Sequence, residues 1–510
     1  MLFNSYIFIF LFFPLCLLGY YGLIHRKKKR AAQFFLLAMS FWFYGYFQLN
    51  YLLIMLFSIV VNYCFHRLLS KKPSGKLLFC AVAVNLGVLF YFKYYDFFVE
   101  NINAFTGSSF ALRHVLLPLG ISFFTFQQIG FVVDTYRGEV KDCDMLSYAL
   151  FVAFFPQLIA GPIVTQSEML PQFSGMGEKK FDWEKFARGY SLFVMGLFKK
   201  VILADTLGAG VDYGYTNIAL LGRWDALVVI IAYSLQLYFD FSGYCDMARG
   251  IGRMLGLEIP VNFNSPYQAV NIVDFWKRWH ITLNRFFTSY VYIPLGGNRR
   301  GKGRMYLNFL LVFFLSGVWH GAGWNFIVWG MLHGVLYVLT RWYLERKSPG
   351  RGQSKAVGRR DEESRGTKRL TYSPGRMIMT LVSRLVLFLY VSIAWVYFRA
   401  ADIAQANAML LVALRGKAQK LSLELAECFQ LDELWYVLKV CRLDGFFFSR
   451  YLLMFFMLAA GFGLAVFGKN AACLADRMKG KLFSAMALGA VFVWCVLSFS
   501  RVSVFLYFNF

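Results

Sequence analysis

Charged side chains are scarce in this chain of 510 residues: Asp, Glu, Lys and Arg together make up 16%, whereas soluble domains carry roughly 25%. Hydrophobic residues make up 58% of the chain and aromatic residues 19%. This deficit of charge excludes an ordinary soluble enzyme and a disordered protein. The apolar runs are long and continuous rather than alternating pieces of about ten residues, so the sequence also excludes a transmembrane β-barrel. We predict an all-α, polytopic integral membrane protein.

Motifs that hold metals, disulfides or nucleic acid are missing as well. Nine cysteines are present, but no two of them form a C-x-x-C pair, so the sequence predicts no metal site and no bound cofactor. The 53 Lys and Arg against 28 Asp and Glu give a net charge of +25. Most basic residues occupy short breaks between apolar runs, as in cytoplasmic loops, so we predict contact with membrane lipid and no nucleic-acid partner.

The chain contains 13 apolar segments, at residues 2–24, 31–48, 51–69, 77–98, 115–135, 147–165, 187–206, 225–246, 306–320, 323–342, 377–398, 450–468 and 482–505. Basic runs follow the first segment and precede the last one, which predicts that both termini lie outside the cytoplasm. Two extracytoplasmic ends require an even number of crossings. We therefore predict about twelve transmembrane helices plus re-entrant or interfacial helices. The incomplete crossing is expected at 306–320, which is short, or at 147–165, which contains Pro156 and Pro162.

Three regions follow from this pattern. Residues 1–345 form the predicted membrane core, and residues 346–376 form a basic cytoplasmic linker rich in Ser, Gly and Pro. Residues 377–510 carry the last transmembrane helices, an amphipathic segment at 400–449 and an aromatic carboxyl-terminal tail.

Polar residues inside apolar segments are costly in a bilayer and therefore mark candidate sites. His320 lies in the apolar sequence SGVWHGAGW. A lone buried histidine is usually structural, but a buried imidazole is more stable in its neutral form, which a general base needs. The helix spacing of Asp246, Arg249 and Arg253 predicts an ion pair between the aspartate and either arginine. Those residues form either a structural ion pair at the cytoplasmic boundary or a basic entrance to a site for an anionic ligand.

Three longer motifs resemble the core signatures of the membrane-bound O-acyltransferase family: FDFSGYCDMARGIGRMLG, FWKRWHITLNRFFTSYVYIPLGGNR and SGVWHGAGWNFIVWGMLHG. The similarity is strongest to the bacterial branch that O-acetylates exopolysaccharides such as alginate, and the D-alanine transfer protein of teichoic acid synthesis is a more distant relative. The resemblance implies a multi-pass protein of the bacterial cytoplasmic membrane with a central tunnel. An acyl thioester, either acetyl-CoA or an acyl-carrier protein, would enter from the cytoplasm. Extracytoplasmic acyltransferase or esterase-like partners would pass the acyl group to a polysaccharide acceptor.

The resemblance also implies roles for individual residues. His320 matches the presumed catalytic histidine, and His280 matches the second motif histidine, after Trp276 and Trp279. We expect His320 to act as a general base and His280 or Asn325 to stabilise the oxyanion. A cluster of basic residues either binds the donor phosphates or simply follows the positive-inside rule; it comprises Lys277, Arg278, Arg285, Arg299 and Arg300.

The tail SVFLYFNF resembles the Phe-x-Tyr-Phe ends of related systems, in which the tyrosine resembles an acyl relay. Tyr507 is therefore a candidate to carry the acyl group to an extracytoplasmic transferase. The alternative is an aromatic belt at the membrane interface.

A polysaccharide transporter or flippase is the main alternative function. Its proton relay would use acidic residues in or beside the apolar segments, namely Glu168, Asp240, Asp246 and Asp274. Such transporters usually contain repeated halves, and the sequence shows no internal repeat.

Overall fold

The computed structural model describes residues 1–140, 142–347, 374–446, 448–477, 482–501 and 505–506, and all regular secondary structure in these ranges is helical. The predicted all-α fold is thereby confirmed. Six helical stretches are long and apolar enough to cross a membrane: Phe8–His25, Leu49–Lys71, Gly75–Thr106, Arg223–Met254, Met377–Arg399 and Ser449–Phe467. The chain is a multi-pass membrane protein, and the number of twelve crossings stays a prediction.

The described part of the first half contains twelve α-helices: α1 (Phe13–His25), α2 (Lys29–Gly45), α3 (Leu49–Lys71), α4 (Gly75–Leu89), α5 (Tyr95–Thr106), α6 (Ile121–Tyr136), α7 (Met145–Ala153), α8 (Phe155–Leu158), α9 (Gln166–Ser174), α10 (Trp183–Phe198), α11 (Asp205–Thr216) and α12 (Arg223–Met254). Three π-helical segments extend or join these helices, at Phe8–Phe12, Phe90–Tyr94 and Lys199–Ala204. The predicted segment 147–165 is broken between α7 and α8, where Pro156 enters the first turn of α8.

The second half contains eleven helices in the described ranges: α13 (Ile272–Arg278), α14 (Ile281–Phe287), α15 (Lys302–His320), α16 (Trp324–Lys347), α17 (Pro374–Arg399), α18 (Ile403–Arg415), α19 (Leu423–Cys428), α20 (Asp432–Val440), α21 (Ser449–Phe467), α22 (Ala471–Arg477) and α23 (Leu482–Leu497). A π-helical segment, Thr288–Tyr292, follows α14. Short 3₁₀ turns lie in both halves of the chain, at Met176–Glu178, Ile218–Leu220, Pro266–Gln268 and Ser498–Arg501. The apolar segment 306–320 is part of α15, whose 19 residues extend about 28 Å. Helix α15 is thus longer than the apolar segment that was predicted from the sequence. Most of the predicted linker 346–376 lies outside the described residues.

Helix α12 is the central element, and α10 packs against it along a seam of four glycines. Gly196 faces Gly243, and Gly189 faces Gly250, so the two helices run antiparallel. A Cβ atom at Gly196 would lie 2.6 Å from the carbonyl oxygen of Gly243, and one at Gly250 would lie 2.7 Å from that of Gly189. Only residues without a side chain permit this approach, as at other close helix pairs in membranes. We call these residues the glycine seam.

Three buried ionisable groups lie where α10 passes through the π-helical segment into α11. The ammonium group of Lys200 lies 2.7 Å from Asp205 Oδ1 and 2.8 Å from Asp240 Oδ1. All three side chains are at most 5% exposed. We call this group the Lys200 cluster. Each carboxylate of the cluster is thus paired with the ammonium of Lys200, as buried charges require.

The predicted pairing of Asp246 with an arginine on its own helix is wrong. Asp246 Oδ2 instead accepts from Lys199 Nζ at 2.6 Å, because this aspartate faces α10. Arg249 donates to the carbonyl oxygen of Ile259, and Arg253 pairs with Glu258 and Asp476. The two arginines thus fasten the loop that follows α12, and Arg253 also ties α12 to α22.

Candidate active site

His320 is the last residue of α15 and lies in an aromatic environment. Its side chain is buried, and its ring centroid is 4.7 Å from that of Trp319, 5.0 Å from that of Trp329 and 5.1 Å from that of Phe398. The close approach of α16 depends on Gly317, where a Cβ atom would lie 2.5 Å from the carbonyl oxygen of Phe326. The SGVWHGAGW motif therefore buries a histidine between two tightly packed helices.

Lys93 holds the end of α15 beside this histidine. Its Nζ atom donates to the carbonyl oxygens of Trp319 at 2.6 Å and His320 at 3.1 Å, and to Ser122 Oγ at 3.4 Å. A cation here also complements the negative end of the helix dipole. Lys93 reaches this position from the π-helical segment between α4 and α5. Lys93 is not among the residues predicted from the sequence, although a lysine within the apolar run LFYFKYY is the signal that marks a functional residue in a membrane.

His280 lies at the junction of α13 and α14, and its backbone is in the left-handed region with φ +44°. Asn262 maintains this junction. Its Oδ1 atom accepts hydrogen bonds from the backbone N–H and the hydroxyl of Thr282, and lies 3.2 Å from His280 Nδ1. Because that oxygen is an acceptor, Nδ1 of His280 carries the hydrogen and Nε2 is the acceptor nitrogen. The ring centroids of His280 and His320 are 6.5 Å apart.

A path of rings connects the two ends of the site. Trp276 contacts His333 at 5.1 Å, His333 contacts Trp329 at 5.2 Å, and Trp329 contacts His320. Within the described part of the chain, no hydrogen-bond partner lies near either nitrogen of His333 or near the indole N–H of Trp276 or Trp329. Buried polar groups normally have partners. The polar atoms of these rings therefore have no protein partner in the described structure, and Trp276 among them also lines a cavity.

Two cavities lie at opposite ends of this path. The Trp276 cavity, of about 420 Å³, is lined by residues that include Trp276, Lys277, Arg285, Phe309 and Phe313. The Lys93 cavity, of about 440 Å³, is lined by residues that include Lys93, Asp96, Gly321, Phe398 and Arg399. Along α15, Phe309 and Gly321 are separated by about 18 Å at the helical rise per residue. Both volumes are in the range of small-molecule sites.

The predicted basic residues differ in their surroundings. Lys277 lines the Trp276 cavity, and Arg278 donates to Asp274 within the same helix at 2.9 Å. Arg285 also lines this cavity, but its guanidinium forms two hydrogen bonds with Glu168, at 2.5 and 2.8 Å. Burial raises the pKa of Glu168, yet hydrogen bonds from Arg285 and Thr165 hold that pKa below its ordinary value. This pair fastens α9 to α14.

Two further predicted residues have structural partners. Asn325 Nδ2 donates to the carbonyl oxygens of Tyr397 at 3.1 Å and Ala400 at 2.8 Å, so both amide hydrogens tie α16 to the end of α17. Trp279 is buried between Phe275 and Trp395. Tyr507 lies outside the described residues. No group of three or more metal-ligating side chains occurs in the ranges that the structure describes.

Comparison with known proteins gives consistent matches over most of the chain. The family model for the membrane-bound O-acyltransferases (MBOAT) matches residues 36–345. The peptidoglycan O-acetyltransferase of Helicobacter pylori is 39% identical over 448 residues, which cover 82% of this chain and 80% of that protein. The probable alginate O-acetylase of Pseudomonas putida is 36% identical, covering 80% and 79%. The teichoic acid D-alanyltransferase of Lacticaseibacillus rhamnosus is 28% identical, covering 54% and 76%.

Proposed function

The chain belongs to the membrane-bound O-acyltransferase family and is an acyltransferase, and from this premise we propose the route that its acyl group takes. An acetyl group leaves a cytoplasmic thioester, crosses the protein past His320, and serves the O-acetylation of a cell-surface or secreted polysaccharide. The observation that carries this proposal is the position of His320 on a ring path between two cavities. The family and the named relatives favour acyl transfer over the alternative of a polysaccharide transporter.

The donor enters through the Trp276 cavity. Arg299, Arg300, Lys302 and Arg304 lie at the same end of α15 as this cavity, and clusters of basic residues mark the cytoplasmic side. The proposed membrane is the bacterial cytoplasmic membrane, with both termini outside. Acetyl-CoA and acyl-carrier protein both present the acyl group on an arm that contains amides. The indole N–H groups of Trp276 and Trp329 are suited to donate to those amides.

His320 removes the proton from the attacking hydroxyl group. The hydroxyl oxygen attacks the thioester carbonyl carbon, the C–S bond breaks, and the imidazolium returns the proton to the departing thiolate. The products are an ester and a free thiol, and His320 is neutral again. Since Nε2 of His280 is an acceptor nitrogen, we assign to His280 the orientation of the hydroxyl. Both amide hydrogens of Asn325 are engaged, so oxyanion stabilisation by that residue is not part of the proposal.

Lys93 orients His320 through the end of α15. We expect Lys93→Met to lower kcat about 10- to 100-fold, because charged hydrogen bonds contribute about 1.5–3 kcal/mol each. The KM for the donor should stay unchanged, since Lys93 lies at the far cavity. Lys93→Arg, which keeps the positive charge, should recover part of the rate. Steady-state release of thiol from acetyl-CoA measures both constants, and a wild-type kcat in Lys93→Met would contradict this role.

Tyr507 is the proposed first acceptor, and it passes the acyl group to an extracytoplasmic transferase partner. We expect the carboxyl-terminal peptide to gain one acetyl group when purified protein is incubated with acetyl-CoA, as detected by mass spectrometry. Tyr507→Phe should abolish the modification and the transfer, whereas Tyr436→Phe, at an exposed tyrosine of α20, should change neither. An unmodified tail during turnover, together with full activity of Tyr507→Phe, would refute the relay.

A further inference from the structure

The proposed reaction leaves the Lys200 cluster without a role, although it is the most deeply buried group of charges described above. Lys200 carries one positive charge, and Asp205 and Asp240 can each carry a negative one. Asp240 lies near the middle of α12, where a charge is costly unless it is fully paired. Its Oδ1 atom accepts a hydrogen bond from the ammonium of Lys200, and its Oδ2 atom contacts a different part of the chain.

The partner of that second oxygen is the carboxyl-terminal tail. The backbone N–H of Leu506 donates to Asp240 Oδ2 at 3.1 Å. The ring of Phe505 lies over the Lys200 ammonium, 4.6 Å from the ring centroid, and stands edge-on to Tyr244 at 4.7 Å. Phe505 is only 1% exposed. An ammonium over an aromatic face and a buried carboxylate that accepts a backbone N–H are both favourable contacts.

We infer that the Lys200 cluster is the docking site of the carboxyl-terminal tail, with Phe505 as its anchor and the Leu506 amide as its second contact. Along α12, the site is one residue away from a contact with the candidate active site. Phe241 follows Asp240 on α12, and its ring stands edge-on to His280 at 4.8 Å. The residues of the cluster are therefore positioning residues. Insofar as Tyr507 is the relay, which rests on the proposed function, they hold Phe505, two residues before it, inside the protein.

Hydrogen–deuterium exchange of the Leu506 amide tests docking directly, in full-length protein reconstituted in lipid nanodiscs. In wild type we expect this amide to exchange at least tenfold more slowly than in an unstructured peptide. Phe505→Ala removes the anchor and leaves all three charged residues in place, so the amide should lose that protection. Phe505→Trp keeps an aromatic face for Lys200 and should preserve it.

Two controls separate docking from general loosening. Phe499→Ala removes another buried aromatic side chain, whose ring contacts Tyr6, and should leave the exchange of Leu506 unchanged. Asp240→Ala removes the acceptor but keeps the neutral pair of Lys200 and Asp205, and should release the tail as Phe505→Ala does. Thermal unfolding of each variant confirms that it is folded. An amide that exchanges freely in wild type, or equal loss of protection in Phe499→Ala and Phe505→Ala, would overturn the proposal.

Acetylation of the tail, measured on the same samples, distinguishes this inference from the relay. We expect Phe505→Ala to lower acetylation of Tyr507 at least tenfold. A protected Leu506 amide with no acetylation of Tyr507 would leave the docking site standing and refute the relay. Acetylation of an unprotected tail would refute the docking site and leave the relay standing.

Discussion

A His320→Ala variant is expected to lose acyl transfer by about 10²- to 10⁴-fold, the usual contribution of a positioned general base. The imidazole lies among Trp319, Trp329 and Phe398. We therefore expect no base from solvent to reach the site and replace it in the variant. The backbone contacts of α15 with Lys93 use carbonyl oxygens and are independent of the side chain. The protein should therefore fold and still bind its donor. Thiol release from acetyl-CoA by the purified protein, with its partner present, measures the loss.

His66 provides the matched control. It is also a buried histidine, and its Nδ1 atom hydrogen-bonds to the hydroxyl of Thr135 on α6. His66→Ala should reduce stability while leaving the turnover of each folded molecule close to wild type. Equal turnover in wild type and His320→Ala would show that His320 is structural. Equal losses in His320→Ala and His66→Ala would mean that both changes act through folding.

The glycine seam should give the largest loss of stability. In Gly196→Val the new Cβ atom would lie 2.6 Å from the carbonyl oxygen of Gly243 and 2.7 Å from the backbone nitrogen of Met247. Those are backbone atoms of α12, so α10 and α12 must separate. Overpacking costs about 1–3 kcal/mol when side chains alone adjust. We therefore expect Gly196→Val to lower the apparent free energy of unfolding by about 3 kcal/mol or more, measured by thermal or denaturant unfolding in detergent.

Gly463→Val separates this effect from the intrinsic cost of valine in a helix. Gly463 lies within α21, and a Cβ atom there would meet nothing within 4 Å. Both variants lose the same backbone freedom and gain the same side chain, so only the seam variant should unfold much more easily. Similar stability of the two variants would show that α10 can move away from α12 without cost.

Local pattern was enough to single out candidate residues for the site. His320 was identified from its apolar context and a motif, His280 was identified from a motif alone, and the roles of both stay predictions. The contacts of Arg285 and Asn325 were missed because their partners, Glu168 and the end of α17, lie 117 and 72–75 residues away. A single sequence contains no signal for such pairings.

In the fold, too, local features were predictable from the sequence and contacts between distant residues were not. Long apolar runs and the two prolines of segment 147–165 predicted helices and a break correctly, because composition and proline geometry act locally. The glycine seam was not predicted, since it requires glycines on α10 to face glycines on α12 about 50 residues later. Lys93 was within reach of the sequence, but it lay outside the three recognised motifs. Asn262 carries no such signal, because its importance comes only from the loop that it holds.

The pairing of Lys199 with Asp246 bears on the order in which the chain enters the membrane. Asp246 follows Lys199 by 47 residues, whereas Lys200 has one of its partners, Asp205, only 5 residues later. A ribosome that adds about 5–20 residues per second needs roughly 2–9 s to supply Asp246. During that interval α10 would bring Lys199 toward lipid without its counter-charge. We therefore expect helices α10 to α12 to enter the membrane as a single unit of biogenesis rather than one by one.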